Sequence, residues 1–281
     1  MEYTRLILDK QGHIATVTLN RPESGNSFDF RIMEEIDHVF RDNIAVDDNV
    51  RAVILTGAGK YFCTGVDLSM FADAQPEVTQ DELDQGVASS RVQAEAEDVP
   101  WGKGTVVGAV AVIKSMPKPV IAAINGPAVG LGCSFALACD IRIASDTARF
   151  SLMFVKRGLA PDTGGSFTLP RVVGFAKAAE LLLTGDTIDA AEAERIGMVS
   201  RVVPHDQLMT AAQELAGKIA KHPPLAVAAT KEALNKSMVE TDIIEQMKHE
   251  IAYQDKMLNT EDFREAAIAF LEKREAVFKG R

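Results

Sequence analysis

The stretch KPVIAAINGPAVGLGCSFALACD, residues 118–140, constrains this chain more than any other. Its apolar run from Val120 to Ile124 lies between Pro119 and Asn125-Gly126-Pro127. That punctuation predicts a buried strand ending in a tight turn. Gly130 and Gly132 come next, followed by small and apolar residues from Cys133 to Ala138. A helix starting here leaves its first backbone N–H groups without intrahelical partners and turns the positive end of its dipole toward the glycines. Glycine also lets a ligand approach the backbone closely. The stretch therefore predicts a site for negative charge made of main chain.

Composition narrows the partners. Thirty basic residues against forty acidic ones give a net charge of -10. Non-specific nucleic-acid binding needs clustered Lys and Arg and is disfavoured. One anionic small ligand held by a local patch remains compatible. Cys63, Cys133 and Cys139 have no CxxC spacing and sit in apolar or glycine-rich contexts, which reads as buried thiols in a reducing, cytoplasmic setting. The N-terminal residues MEYTRLILDK lack the pattern of a signal peptide, the last residues FKGR are no peroxisomal address, and no apolar run is long enough to span a membrane.

Along the chain, residues 6–8 and 14–19 read as a hairpin, and a helix capped by Ser27 or Asp29 carries Ile32, Met33, Ile36 and Phe40 at helical spacing. Residues 51–56 form a further buried strand. The acidic segment 69–104 reads as a helical insertion bordering the site, or as a solvated face. A helix over 106–116, a strand over 141–144, short helices over 176–183 and 190–195 and a strand over 199–203 complete a mixed core. From His205 the pattern is helical: 207–221, 225–238, 241–258 and 261–275. The expected class is α/β, with a mixed part over 1–204, a helical part over 205–281 and the ligand at the strand ends.

Several chemistries are disfavoured by what the sequence lacks. It has no GxxxxGK[ST] loop, HExxH or GxSxG, and its five histidines have no metal-ligand spacing. Gly130-Leu131-Gly132 fails as a dinucleotide fingerprint because Phe135 holds the third glycine position. Two glycine turns remain, Cys63-Thr64-Gly65-Val66-Asp67 and Gly130-Leu131-Gly132, each after a buried strand. On neighbouring strands they would aim two N–H groups at one oxygen, a pair worth roughly 3–4 kcal/mol of barrier per donor. Otherwise they are only tight turns.

These turns, with Leu19-Asn20-Arg21-Pro22, Arg51 to Gly57, Phe62 to Leu68, Ile124 to Ile141, Pro161 to Ser166, Leu182 to Gly185, Ile196 to Val199 and Phe270 to Arg274, resemble the enoyl-CoA hydratase/isomerase (crotonase) superfamily. The resemblance covers nearly the whole chain and is weakest over 69–104. It implies a spiral of strand–strand–helix units and a helical C-terminal trimerisation region, assembled as a homotrimer or a dimer of trimers. It also implies an acyl-CoA thioester substrate and no metal or redox cofactor.

Carried over residue by residue, the oxyanion donors are the N–H groups of Val66 and Leu131, with Gly65, Gly130 and Gly132 shaping the turns. CoA contacts are expected from Arg21, Ser24, Cys63, Asp67 and Leu68, and from Phe278 and Lys279 of the C-terminal part. The basic chain end reads equally as a solvated helix terminus. The two glutamates usual in hydratases of the family are replaced by Ser134 and Phe154, which puts ordinary hydration in doubt. Asp162, in Pro161-Asp-Thr-Gly-Gly165, is the acid left at a family-relevant place, similar to that of the ring-opening isomerases of phenylacetyl-CoA breakdown. It is expected either to shuttle a proton beside Phe154 or to cap the helix starting near Gly164. A hydratase drawing its acid from 69–104 and a non-catalytic acyl-CoA binder are the alternatives. A nucleophilic Asp162, as in dehalogenating relatives, is disfavoured because Phe154 stands where they carry tryptophan.

Overall fold

The computed structural model describes residues 1–71 and 103–281. The acidic segment read as an insertion falls almost wholly outside these. Six strands form the main sheet: β1 (Leu6–Gln11), β2 (Ile14–Leu19), β3 (Ala52–Gly57), β4 (Val120–Ile124), β6 (Ile141–Ser145) and β9 (Arg201–Val203), in the order β1-β2-β3-β4-β6-β9. β1 and β2 are the antiparallel hairpin, and every later pairing is parallel. A second sheet joins β5 (Ala128–Val129), β7 (Arg149–Ser151) and β8 (Thr187–Asp189). These three strands are too short to show a period in sequence.

Parallel strands covered on both faces read as continuous apolar runs, which is why β3 and β4 were legible. Their alternate side chains divide between two cores. Val53, Leu55, Ala122 and Ile124 join Ile32 and Ile36 of helix α1 (Phe30–His38) and Ala109 and Ile113 of α2 (Val106–Ser115). Ala52, Ile54, Ile121 and Ala123 face Leu208, Ala212 and Ala216 of α7 (Leu208–Ala220). Burying each large aliphatic side chain contributes about 1.5–3 kcal/mol. The composition change at residue 204 therefore does not mark the edge of the core, because α7 covers one face of the sheet.

Asp29, rather than Ser27, caps α1, its side chain accepting from Ile32 N–H at 2.8 Å. α1 then loosens into a π-helical stretch, Val39–Ile44. Between β4 and β6 lies α3 (Leu131–Ala138), all eight residues buried. Further on come α4 (Gly165–Val173), α5 (Phe175–Thr184) and α6 (Ala190–Arg195). The chain ends in α8 (Pro224–Ser237), α9 (Ile243–Leu258) and α10 (Glu261–Glu272). No residue of α9 is buried. α10 stops at a left-handed Lys273, so the last residues form an extended tail.

Candidate active site

The two glycine turns meet at the carboxyl ends of β3 and β4. Cys63 bridges Ala128 and Phe28 bridges Val66, both in parallel register, and Val129 N–H donates to Cys63 C=O at 2.9 Å. The loop between β3 and the first turn is pinned by two buried asparagines. Asn125 accepts from Gly57 N–H at 3.1 Å and donates to the carbonyls of Gly59 and Tyr61. Asn26 accepts from Arg21 N–H and donates to the carbonyls of Ala58 and Tyr61. The sequence reads Asn125 only as a turn residue and assigns Asn26 no role of its own. Their positioning role would have required knowing that two chain-distant loops share one layer.

Glycine is required where the turns touch. Gly65 has φ of 101°, and a Cβ there would lie 3.0 Å from Val129 C=O and 3.7 Å from Leu131 N. A Cβ on Gly132 would overlap the carbonyl of Cys63 and meet its Sγ. Gly130, at φ 53°, is fixed by donating to Ser151 C=O at 2.7 Å and starts α3 without a side-chain cap. Among the described residues, the N–H groups of Val66 and Leu131 have no partner. Two unpartnered donors near the positive end of a helix are the chemistry that a cradle for developing negative charge requires.

Asp162 is linked to α3 through the start of α4. Ser134, one turn into α3, is fully buried, and its Oγ has no partner among the described residues. That Oγ would lie 2.5 Å from a Cβ on Gly165, so the first turns of α3 and α4 are in direct contact. Gly165 N–H in turn donates to Asp162 C=O at 3.0 Å. Asp162 does not cap α4, whose N-cap Gly164 is left-handed with no side-chain hydrogen bond. Instead its carboxylate accepts from Thr163 Oγ1 at 2.8 Å, held by a left-handed Thr163 at φ 53°. Burial pushes the Asp162 carboxyl above its ordinary value, against the smaller opposing pull of the Thr163 hydroxyl. Phe154 is buried in a 3-10 turn, Met153–Arg157.

A sequence profile of the enoyl-CoA hydratase/isomerase family matches residues 9–281. The chain belongs to that family. It is 39% identical over 275 residues to a short-chain-enoyl-CoA hydratase of Clostridium acetobutylicum, covering 98% of this chain and 97% of the other. It is 36% identical over 269 residues to the 1,2-epoxyphenylacetyl-CoA isomerase of Escherichia coli, covering 95% of each. Among solved structures, an enoyl-CoA hydratase from Bacillus anthracis superposes with a TM-score of 0.85 at 34% identity, covering 99% of this chain and 100% of that one. The architecture is thus the crotonase fold, in an acyl-CoA enzyme family whose named members include both hydratases and isomerases.

The remaining candidate contacts fall into two groups. Arg21, Ser24, Cys63, Asp67 and Leu68 surround the first turn. The Arg21 guanidinium is held by Ser27 C=O, Asp29 and Asp67. Cys63 is buried with its thiol pushed up to about 12, and Leu68 is exposed. Phe278 and Lys279 lie elsewhere. Arg51, just before β3, donates to Phe278 C=O at 2.8 Å, while Asp262 accepts from the N–H groups of Lys279 and Gly280. In its own chain the tail is anchored at the amino end of β3, opposite the glycine turns. No helix of the described residues is long and apolar enough to cross a membrane, and none of these residues forms a group of three metal-ligating side chains.

Proposed function

We propose that the chain isomerises an unsaturated acyl-CoA thioester, moving a proton from one carbon to another through a single acid/base, Asp162. The observation carrying this reading is the state of that carboxylate. It is unused as a helix cap, exposed to solvent yet shifted above an ordinary aspartate by the protein around it, and held by one hydroxyl, beside a helix whose own acid position is Ser134. A base that must both take and return a proton works best with a pKa raised toward the working pH. The N–H groups of Val66 and Leu131 hold the thioester oxygen as it becomes an enolate, which makes the α- or γ-proton removable by a carboxylate. Asp162 then returns that proton to the other end of the delocalised system. Charge stabilisation and proton transfer both come from the chain, so the reading asks for no metal or redox cofactor.

The CoA portion is assigned to the surface around Arg21, Ser24, Asp67 and Leu68. Phe278 and Lys279, at the far end of their own sheet, are assigned to the nucleotide of a neighbouring subunit. This fits a homotrimer, single or doubled, and α9 leaves Ile243, Ile244, Met247, Ile251 and Leu258 exposed for such contacts. Replacing Ile251 by Lys should shift the assembly toward monomer in sedimentation analysis.

The deciding experiment is Asp162→Asn. General acid–base groups contribute roughly 10²–10⁴-fold, so isomerisation of enoyl-CoA substrates should fall by that order while CoA-ester affinity stays within about twofold. The folded state holds the Asp162 proton more tightly than the unfolded chain, so this group costs stability as pH rises through its raised value. The same variant should therefore melt no lower than the parent at neutral pH. Unchanged turnover would overturn the reading. The clostridial relative supports a second one, hydration with atypical acids. Solvent oxygen incorporated into product, surviving in Asp162→Asn, would favour it. An acid from 69–104, as the sequence suggested, lies almost wholly outside the described residues.

A further inference from the structure

A cavity of about 680 Å³ opens at the amino end of the sheet, beyond the far end of α3. Its walls join Pro119 before β4, Asp140 and Ile141 at the start of β6, the last turn of α4 and the inner side of α8. α3 separates it from the glycine turns, since Leu131 starts that helix at the active site and Leu137 lines the cavity from the other end. The size lies within the ~300–1,000 Å³ range of small-molecule sites.

The lining combines an apolar body with a particular charge. Leu137, Val172, Ile219, Val227 and Leu234 supply hydrocarbon. Four cations, Lys114, Arg142, Arg171 and Lys231, face one carboxylate, Asp140, in a chain that is acidic as a whole. Most of this charge is already matched. Lys231 is bound to Asp140 at 2.8 Å and to the carbonyls of Ile113 and Lys118. Arg142 donates to the carbonyls of Met198 and Cys139, both at 2.7 Å. Arg171 donates to the carbonyls of Met238 and Phe167 and lies over the Phe167 ring.

Lys114 differs. Its ammonium has no ion pair or hydrogen bond among the described residues, although burial holds its pKa below the ordinary lysine value. Glu232 lines a smaller adjoining cavity with Lys114, but no ion pair joins them. Lys114 feels the charge of Asp140 only beyond ion-pair distance, and such a partly desolvated ammonium without a direct partner against an apolar wall leaves room for one negative charge carrying a hydrocarbon body. We propose that this cavity is a second ligand site, taking a fatty carboxylate whose head pairs with Lys114 and whose chain lies along α8.

The inference draws on nothing at the glycine turns and can be tested separately from the proposed reaction. Decanoate is titrated by calorimetry into the whole assembled protein, with decanol as the uncharged control. Decanoate should bind once per chain, in Asp162→Asn as in the parent, and should not be displaced by an acyl-CoA. Lys114→Gln should weaken it at least tenfold and Lys114→Arg should restore it to within about threefold. Ala226→Trp, which fills the cavity from α8, should abolish binding and keeps the test decisive if Lys114→Gln fails to fold. Absent binding, equal binding of decanol, displacement by acyl-CoA or indifference to both cavity variants would each overturn the proposal.

Discussion

The two ends of the parallel sheet solve opposite electrostatic problems. At the carboxyl end the groups assigned to the reaction are main-chain N–H groups left without partners, flanked by the paired charges of Arg21 and Asp67, and one carboxylate, Asp162, held by a neighbouring hydroxyl. At the amino end the groups are side-chain cations set against main-chain carbonyls. Lys118 donates to the carbonyls of Ile44, Ala45 and Asp47, Lys231 to those of Ile113 and Lys118, and Arg51 to those of Ala220 and Phe278. One end leaves main-chain donors without partners, and the other, Lys114 apart, commits its cations to the fold. Apart from Asp162 and its partner Thr163, side-chain identity should therefore matter little where the reaction is assigned and greatly where it is not, provided backbone geometry is preserved.

The comparison breaks most sharply at Gly65. An alanine there takes a left-handed φ and presses on Val129 C=O beside Leu131 N, so kcat should fall by roughly 10²–10³-fold, the scale of losing one oxyanion donor. Steady-state rates showing less than a tenfold loss would argue that the turns do not form the cradle. Next in size is Asp140→Asn, which leaves the Lys231 ammonium, 6% exposed, without its counter-ion. Denaturant unfolding should show a loss of about 3 kcal/mol, with turnover per folded molecule unchanged.

A smaller, directional effect belongs to Thr163→Val. The hydroxyl favours the ionised form of Asp162, so its loss should raise that pKa further. The active, ionised base disappears as pH falls, and the acid limb of the kcat/KM profile should move to higher pH. Smallest of all should be Val66→Leu and Leu131→Met. Each changes a side chain while keeping the N–H, so rates within about threefold of the parent are expected. A large loss there would show that side chains, not backbone, carry the site.

Legibility in the sequence followed the same division. Strands buried on both faces announce themselves as apolar runs, and glycines mark the turns, so the sheet, the helices and the two glycine turns could be read. Asp162 was left between two roles, and only the left-handed Gly164 at the start of α4 decided against a cap. The short strands of the second sheet carried no period, and α7 looked like the start of a separate helical part until Leu208, Ala212 and Ala216 were seen against the sheet. Phe278 and Lys279 show a further limit: a sequence does not reveal which end of a strand a tail reaches.

The pairing of Cys63 with Ala128 also has a consequence for how the enzyme is made. Both halves of the cradle depend on a parallel contact between segments far apart in the chain, and closing such a long loop is entropically slow. The hairpin and helices α9 and α10 depend mainly on local contacts. During refolding, helical dichroism should recover first and the binding of an acyl-CoA last, leaving an interval in which a well-structured chain is still catalytically silent.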